Sequence, residues 1–159
     1  MDQYESRLKE YIENNEIKAE HLHFEQSCHS VEDAAKAVDN LFGKGVDQKE
    51  FVKNICLVDA EGNLIVAIVK GEYRVDIKRV SELVGKKIKI ATPEEILEKT
   101  GYPCGGTPSF GYQATFLIDE RVFEKEVVYS GGGSQNSLVK ISPLEMQKTN
   151  KGKIVKIRK

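Results

Sequence analysis

Two apolar runs, Phe51 to Val58 and Leu64 to Val69, are separated by little more than the turn Asp59-Ala60-Glu61-Gly62. Runs of this length bounded by turn residues read as strands, and so short a connection makes them a β-hairpin. Strand alternation puts Phe51, Ile55 and Leu57 on one face of the first strand and Val52, Cys56 and Val58 on the other. Both faces are apolar, so the hairpin predicts a sheet with cover on two sides.

The cover is legible as helices. Tyr4, Leu8, Tyr11 and Ile12 recur at helical spacing within residues 3 to about 14. Ser30, with Asp33 three residues later, caps a second helix that buries Val31, Ala34, Ala35, Val38 and Leu41 and stops at Gly43. Ile77, Val80, Leu83 and Val84 give a third, ended by Gly85 and followed by a strand from Lys86 to Ala91. Thr92, Pro93 and Glu95 open a fourth that runs to about Lys99 before Gly101. Strands are expected at Ala114–Ile118 and Glu124–Tyr129, around a turn near Asp119 and Glu120, and at Leu138–Ile141; Ser142, Pro143 and Glu145 start a last helix. Hairpins mixed with helical crossovers predict an α+β fold over one domain, residues 1–159, with a mixed, barrel-like β-sheet surrounded by helices. The tail holds Lys148, Lys151, Lys153, Lys156, Arg158 and Lys159 with no acid among them: a phosphate-binding segment or, equally, a solvated end or edge strand.

Composition excludes several classes. The chain is 40% hydrophobic and 31% charged, and no apolar run approaches the roughly 18 residues of a membrane span. Residues 1–16 are charged and helical in pattern, unlike a secretory signal, so a cytoplasmic location is expected. Three cysteines, Cys28, Cys56 and Cys104, with no Cys-x-x-Cys pair, argue against a disulfide framework or a zinc ribbon. A net charge of −1 excludes binding to nucleic acid through bulk positive charge.

Lys53 is the first candidate for chemistry, because a lysine on a core strand must find an anionic or carbonyl partner or lose its proton, unless it snorkels to a sheet edge. The segment Gly105-Gly106-Thr107-Pro108-Ser109-Phe110-Gly111 can bring backbone N–H groups close to a substrate oxygen. It lacks the Gly-Lys-Ser/Thr ending of a P-loop. Gly131-Gly132-Gly133-Ser134 is a second glycine loop whose serine hydroxyl is available to a phosphate, a ribose or a water; its bland reading is a flexible hairpin end. His21, His23 and His29 lack metal-ligand spacing, and Cys104 has no histidine or acid near it in sequence. No metal or cofactor is expected.

Three segments together resemble one family. Val52-Lys53-Asn54-Ile55-Cys56-Leu57-Val58 is similar to its lysine-bearing strand, Gly105 to Gly111 to its Gly-Gly-x-x-Pro-Phe-Gly loop, and Gly131 to Ser134 to its late glycine loop. Their order fits, as do Ala34-Ala35 and Ala91-Thr92-Pro93-Glu94-Glu95, over roughly residues 15 to 147. The family is the YbaK and prolyl-tRNA-synthetase-associated aminoacyl-tRNA editing domain. The resemblance implies a trans-editing deacylase that hydrolyses tRNA mischarged with alanine, serine or cysteine. It implies Lys53, Gly105 and Gly106 as catalytic residues and Thr107, Pro108, Phe110, Gly111, Gly132, Gly133 and Ser134 as substrate contacts. Mischarged tRNA is the implied partner, with a synthetase as a second; neither membrane nor DNA is involved. Thr107-Pro108-Ser109 carries its proline one place earlier than many relatives, and Gln135-Asn136 replace a common basic pair, which leaves amino-acid specificity open. A non-catalytic module binding a tRNA 3′ end or a small ligand is the competing reading.

Overall fold

A computed structural model describes residues 1–28, 30–42 and 47–159. The elements run α1 (Gln3–Asn14), β1 (Ala19–His23), α2 (Val31–Phe42), β2 (Val52–Asp59), β3 (Leu64–Lys70), α3 (Ile77–Val84), β4 (Ile88–Ile90), α4 (Pro93–Thr100), β5 (Thr115–Asp119), β6 (Val128–Gly131), β7 (Ser137–Ile141), α5 (Pro143–Asn150) and β8 (Lys153–Val155). The expected stop at Gly43, the burial of Leu41 and the place of His29 lie outside the described residues.

Helix ends follow from local chemistry. The Ser30 hydroxyl accepts the Asp33 N–H at 3.0 Å. Asp2, Asp76, Thr92 and Ser142 cap α1, α3, α4 and α5 in the same manner, with a reciprocal Thr92–Glu95 box at α4. Gly85 and Gly101 close α3 and α4 in left-handed conformation.

The hairpin forms as expected, β2 antiparallel to β3 with Val58 opposite Leu64 and Val52 opposite Lys70. Its tight end is held by Asp59, whose carboxylate accepts the N–H groups of Glu61 and Asn63 at 2.9 Å each. Both faces are covered. Cys56, Val58, Leu64, Val66 and Ile68 join a core with Leu8 and Ile12 of α1 and Ile96 of α4. Leu57, Ile65, Ala67 and Val69 join another with Val80 of α3 and Ile157 of the tail.

The architecture is α+β, in two sheets: β4-β2-β3-β5-β8 and β1-β7-β6. The large sheet is mixed, as expected, and is not closed into a barrel. It ends in two three-residue strands, β4 and β8, and β7 pairs with β1 on one side and β6 on the other in a separate sheet. Strand β5 runs parallel to both β3 and β8, which requires the long crossovers that carry α3, α4 and α5. The strand expected at Glu124–Tyr129 sits later, because Asp119 caps a 3-10 turn over Glu120–Glu124. No helix among the described residues is long and apolar enough to cross a membrane.

The basic tail is docked as edge strand β8, and Ile157 beyond it is fully buried. Its anchor is the buried Asp119 carboxylate, which accepts the N–H of Ile157 at 2.9 Å and of Arg158 at 3.2 Å and pairs with the Arg158 guanidinium at 3.1 Å. Removing the acceptor orphans these donors, so Asp119→Ala is expected to lower the unfolding free energy by about 2–4 kcal/mol in urea titration. A loss below about 0.5 kcal/mol, the usual range of surface changes, would show that the tail is held otherwise.

Candidate active site

Between the start of β2, the start of α2 and the end of β6 lies a cavity of about 210 Å³. Lys53, Asn54, Gly105, Thr107, Ser130 and Gly131 line it, with Phe51, Tyr129 and Leu138 as apolar wall. The Phe51 and Tyr129 rings stack at 5.0 Å, where a β-bridge between these residues joins the two sheets.

Lys53 is half-buried. Burial, aided by the charge of Arg74, holds its ammonium below the ordinary 10.5. Among the described residues its side chain has no hydrogen-bond or ion-pair partner. Lys70 on the adjacent strand shows the contrast: burial also weighs against its charge, but Glu72 and Glu124, each at 3.1 Å, outweigh that and raise its pKa. One lysine is a structural ion pair; the other is a cation with its ligand valence open.

The first glycine loop is built on a turn at Pro103–Gly106, in which the Gly106 N–H donates to the Pro103 carbonyl at 3.1 Å. Gly105 occupies the third position with φ +91°, as a type II turn demands. This spends the Gly106 N–H and leaves that of Gly105 without a partner among the described residues. The second loop packs directly on the first: the Gly133 N–H donates to the Gly106 carbonyl at 2.7 Å. A Cβ on Gly131 would lie 2.1 Å from the Thr107 oxygen, and one on Gly106 2.5 Å from the Ser134 nitrogen. These glycines permit backbone to lie on backbone.

Beneath the contact is a buried polar ring. Asn54 Nδ2 donates to the Thr107 carbonyl at 2.9 Å and to Ser130 Oγ at 3.0 Å, and Ser109 Oγ donates to Asn54 Oδ1 at 2.7 Å. Ser109 Oγ and Ser130 Oγ are in short hydrogen-bond contact, and the Ser109 carbonyl accepts Asn150 Nδ2 at 2.9 Å.

Of the residues singled out in the sequence, the structure brings Lys53, Gly105 and Thr107 to the cavity, with Gly106 immediately behind. Cys104 and Gly131 line it too, whereas the remaining expected substrate contacts lie off its lining. Phe110 is buried in the core, stacked on Tyr11, and the Pro108 carbonyl accepts the Tyr112 hydroxyl at 2.6 Å. Gly111, at φ +98°, sits against Leu8, Tyr11 and Tyr102. Gly132 gives its carbonyl to His21 Nε2–H at 2.8 Å, and Gly133 contacts Tyr4 and Glu5. Ser134 turns away to donate to the buried Glu5 carboxylate at 3.0 Å, which also accepts from His23 Nδ1 at 2.7 Å. Asn54 and Ser130 line the cavity without having been given a role from the sequence. The available signal was polarity in a buried context: Asn54 lies between Val52 and Cys56 on an apolar strand face.

The aminoacyl-tRNA editing domain matches residues 25–149 of the chain, which span the cavity and both glycine loops. The chain belongs to this family. The editing domain is 26% identical over 133 residues to the uncharacterized protein YwhH of Bacillus subtilis, covering 82% of this chain and 81% of that protein. A proline–tRNA ligase of Trichlorobacter lovleyi is 34% identical over 75 residues, 46% of this chain but only 13% of the ligase. Among solved structures, the hypothetical protein APE2540 superposes with a TM-score of 0.83 at 26% identity, covering 96% of this chain and 99% of the other. A candidate trans-editing enzyme for prolyl tRNA synthetase superposes with a TM-score of 0.86 at 24% identity over 100% and 99% of the two chains, and so shares the fold.

The contact between loops makes a direct prediction for the editing domain. Gly131→Ala must push the Thr107 carbonyl away and break the Asn54 bond to it, so it is expected to cost about 1–3 kcal/mol of stability in chemical denaturation. A variant as stable as the parent would mean that the loops separate freely.

Proposed function

We propose that the chain is a trans-editing deacylase that hydrolyses the ester of tRNA mischarged with a small amino acid, alanine, serine or cysteine. The observation that carries this is that Lys53 and Gly105, whose ammonium and N–H have no partner among the described residues, line one small cavity in an editing-domain fold. Hydrolysis of an activated ester requires a placed water, stabilisation of the oxyanion formed on attack at the carbonyl carbon, and departure of the ribose oxygen, which takes up a proton. Lys53 and Gly105 N–H are suited to the oxyanion. Gly106 supports them through its carbonyl bond to Gly133, and Ser134 braces the second loop through Glu5. The ribose hydroxyl next to the ester can assist the proton transfer.

In this reading selection by size comes from the walls of the cavity of about 210 Å³, the Phe51–Tyr129 stack and the glycine loops. tRNA for proline carrying alanine is the first substrate to test, against the same tRNA carrying serine, cysteine or proline.

Lys53→Ala is expected to lose most single-turnover deacylation of the small-residue ester, about 100-fold or more, with an unchanged unfolding midpoint. Undiminished turnover in this variant would remove Lys53 from the mechanism, and binding of the panel without turnover by the parent chain would make the protein a non-catalytic tRNA-end module.

If the charged form of Lys53 is the active one, its lowered pKa sets an alkaline limit: after subtraction of spontaneous hydrolysis, kcat/KM should fall as pH rises through a value below 10.5. A profile flat up to 10.5 would contradict this role.

A further inference from the structure

The hydrogen bonds around Asn54 fix where its amide protons and the hydroxyl protons of Thr107, Ser109 and Ser130 point. The Thr107 carbonyl can only accept, so Asn54 must turn Nδ2 toward it and present Oδ1 to Ser109. Ser109 spends its single proton on Asn54 Oδ1. The proton shared by the two serines therefore comes from Ser130, which in turn accepts from Asn54 Nδ2. The ring closes in one sense only: Asn54 to Ser130, Ser130 to Ser109, Ser109 back to Asn54. Thr107 Oγ1 likewise spends its proton, on the Pro103 carbonyl at 3.1 Å.

Three oxygens that belong to cavity-lining side chains, Asn54 Oδ1, Thr107 Oγ1 and Ser130 Oγ, thus have lone pairs left but no protons to give. Ser130 is 1% and Thr107 8% exposed, so water does not readily rearrange them. The cavity thus has donors at Lys53 and Gly105 and, at Asn54, Thr107 and Ser130, a stretch of wall whose side chains only accept. A ligand that satisfies both presents an acceptor and a multiple donor close together, as an amino acid ester does with its carbonyl and its α-ammonium group.

We infer that the wall formed by Asn54, Thr107 and Ser130 binds the free α-ammonium of the aminoacyl group, so that the site requires an unblocked amine and rejects N-acylated and peptidyl esters. This rests on the deacylase reading and specifies its substrate: an aminoacyl ester, not any small acyl ester.

The test compares alanyl-, lactyl- and N-acetylalanyl-tRNA on the full chain, lactyl differing by a hydroxyl in place of the ammonium at almost no change in size. Relative to the spontaneous hydrolysis rate of each ester, which the α-ammonium itself raises, alanyl ester should be cleared faster than lactyl by about tenfold or more, since charge-assisted hydrogen bonds are roughly twice as strong as neutral ones, and faster than N-acetylalanyl by about 100-fold. Equal clearance of alanyl and lactyl esters overturns the inference and leaves the deacylase reading standing. Should none be cleared, the deacylase reading fails, and calorimetric binding of 3′-alanylamido- against 3′-lactylamido-adenosine decides the inference: preference for the amine supports it and equal affinity overturns it. In Ser130→Ala the alanyl-to-lactyl ratio should fall toward one; if that variant does not fold, Thr107→Val is read in the same assay. A ratio kept at the parent value overturns the assignment to this wall.

Discussion

The site depends on two stretches of main chain meeting with no side chain between them. At Gly131 the neighbouring carbonyl of Thr107 stands where a Cβ would be, and the Gly133 N–H closes onto Gly106. Because the loops touch, Thr107 is fixed by Asn54 on one side and confronted by Gly131 on the other, and the Gly105 turn is pinned beside Lys53. The glycines act less as a flexible cradle than as the means by which two loops become one rigid wall.

That rigidity gives the electrostatics their direction. A half-buried lysine that has no ion-pair partner among the described residues is unfavourable for folding by itself, in keeping with the lowered pKa of Lys53. The same chain neutralises Lys70 with two glutamates, so the means of satisfying a buried lysine are present on the strand next to the one where they are withheld. Local departures from the rule that buried charge is paired are expected where a ligand completes the set.

Much of the fold was legible because its causes are local. Caps at Ser30, Thr92 and Ser142, left-handed glycines at 85 and 101, and the apolar alternation of β2 and β3 act over a few residues. What escaped was non-local. Strand β1, Ala-Glu-His-Leu-His, puts one apolar side chain, that of Leu22, fully into the core and exists because β7 pairs with it. The late start of β6 follows from Asp119, whose tie to the chain end cannot be seen in a window of neighbouring residues. Within the site, Lys53 stood out as a charge on an apolar strand, and Gly105 and Thr107 came with their loop. Ser130 looked like an ordinary residue before a glycine run, because its ring partners are 21 and 76 positions away.

Glu5 carries a consequence for where this folding unit ends. It is 2% exposed, and it joins α1 to the second glycine loop through Ser134 and to β1 through His23. Both Glu5 and the Asp119 partner Arg158 lie outside residues 25–149, the stretch shared with the family. The homologous stretch is therefore shorter than the cooperative one: a fragment cut at its limits would keep every cavity-lining residue and lose the two clasps that hold the walls in register.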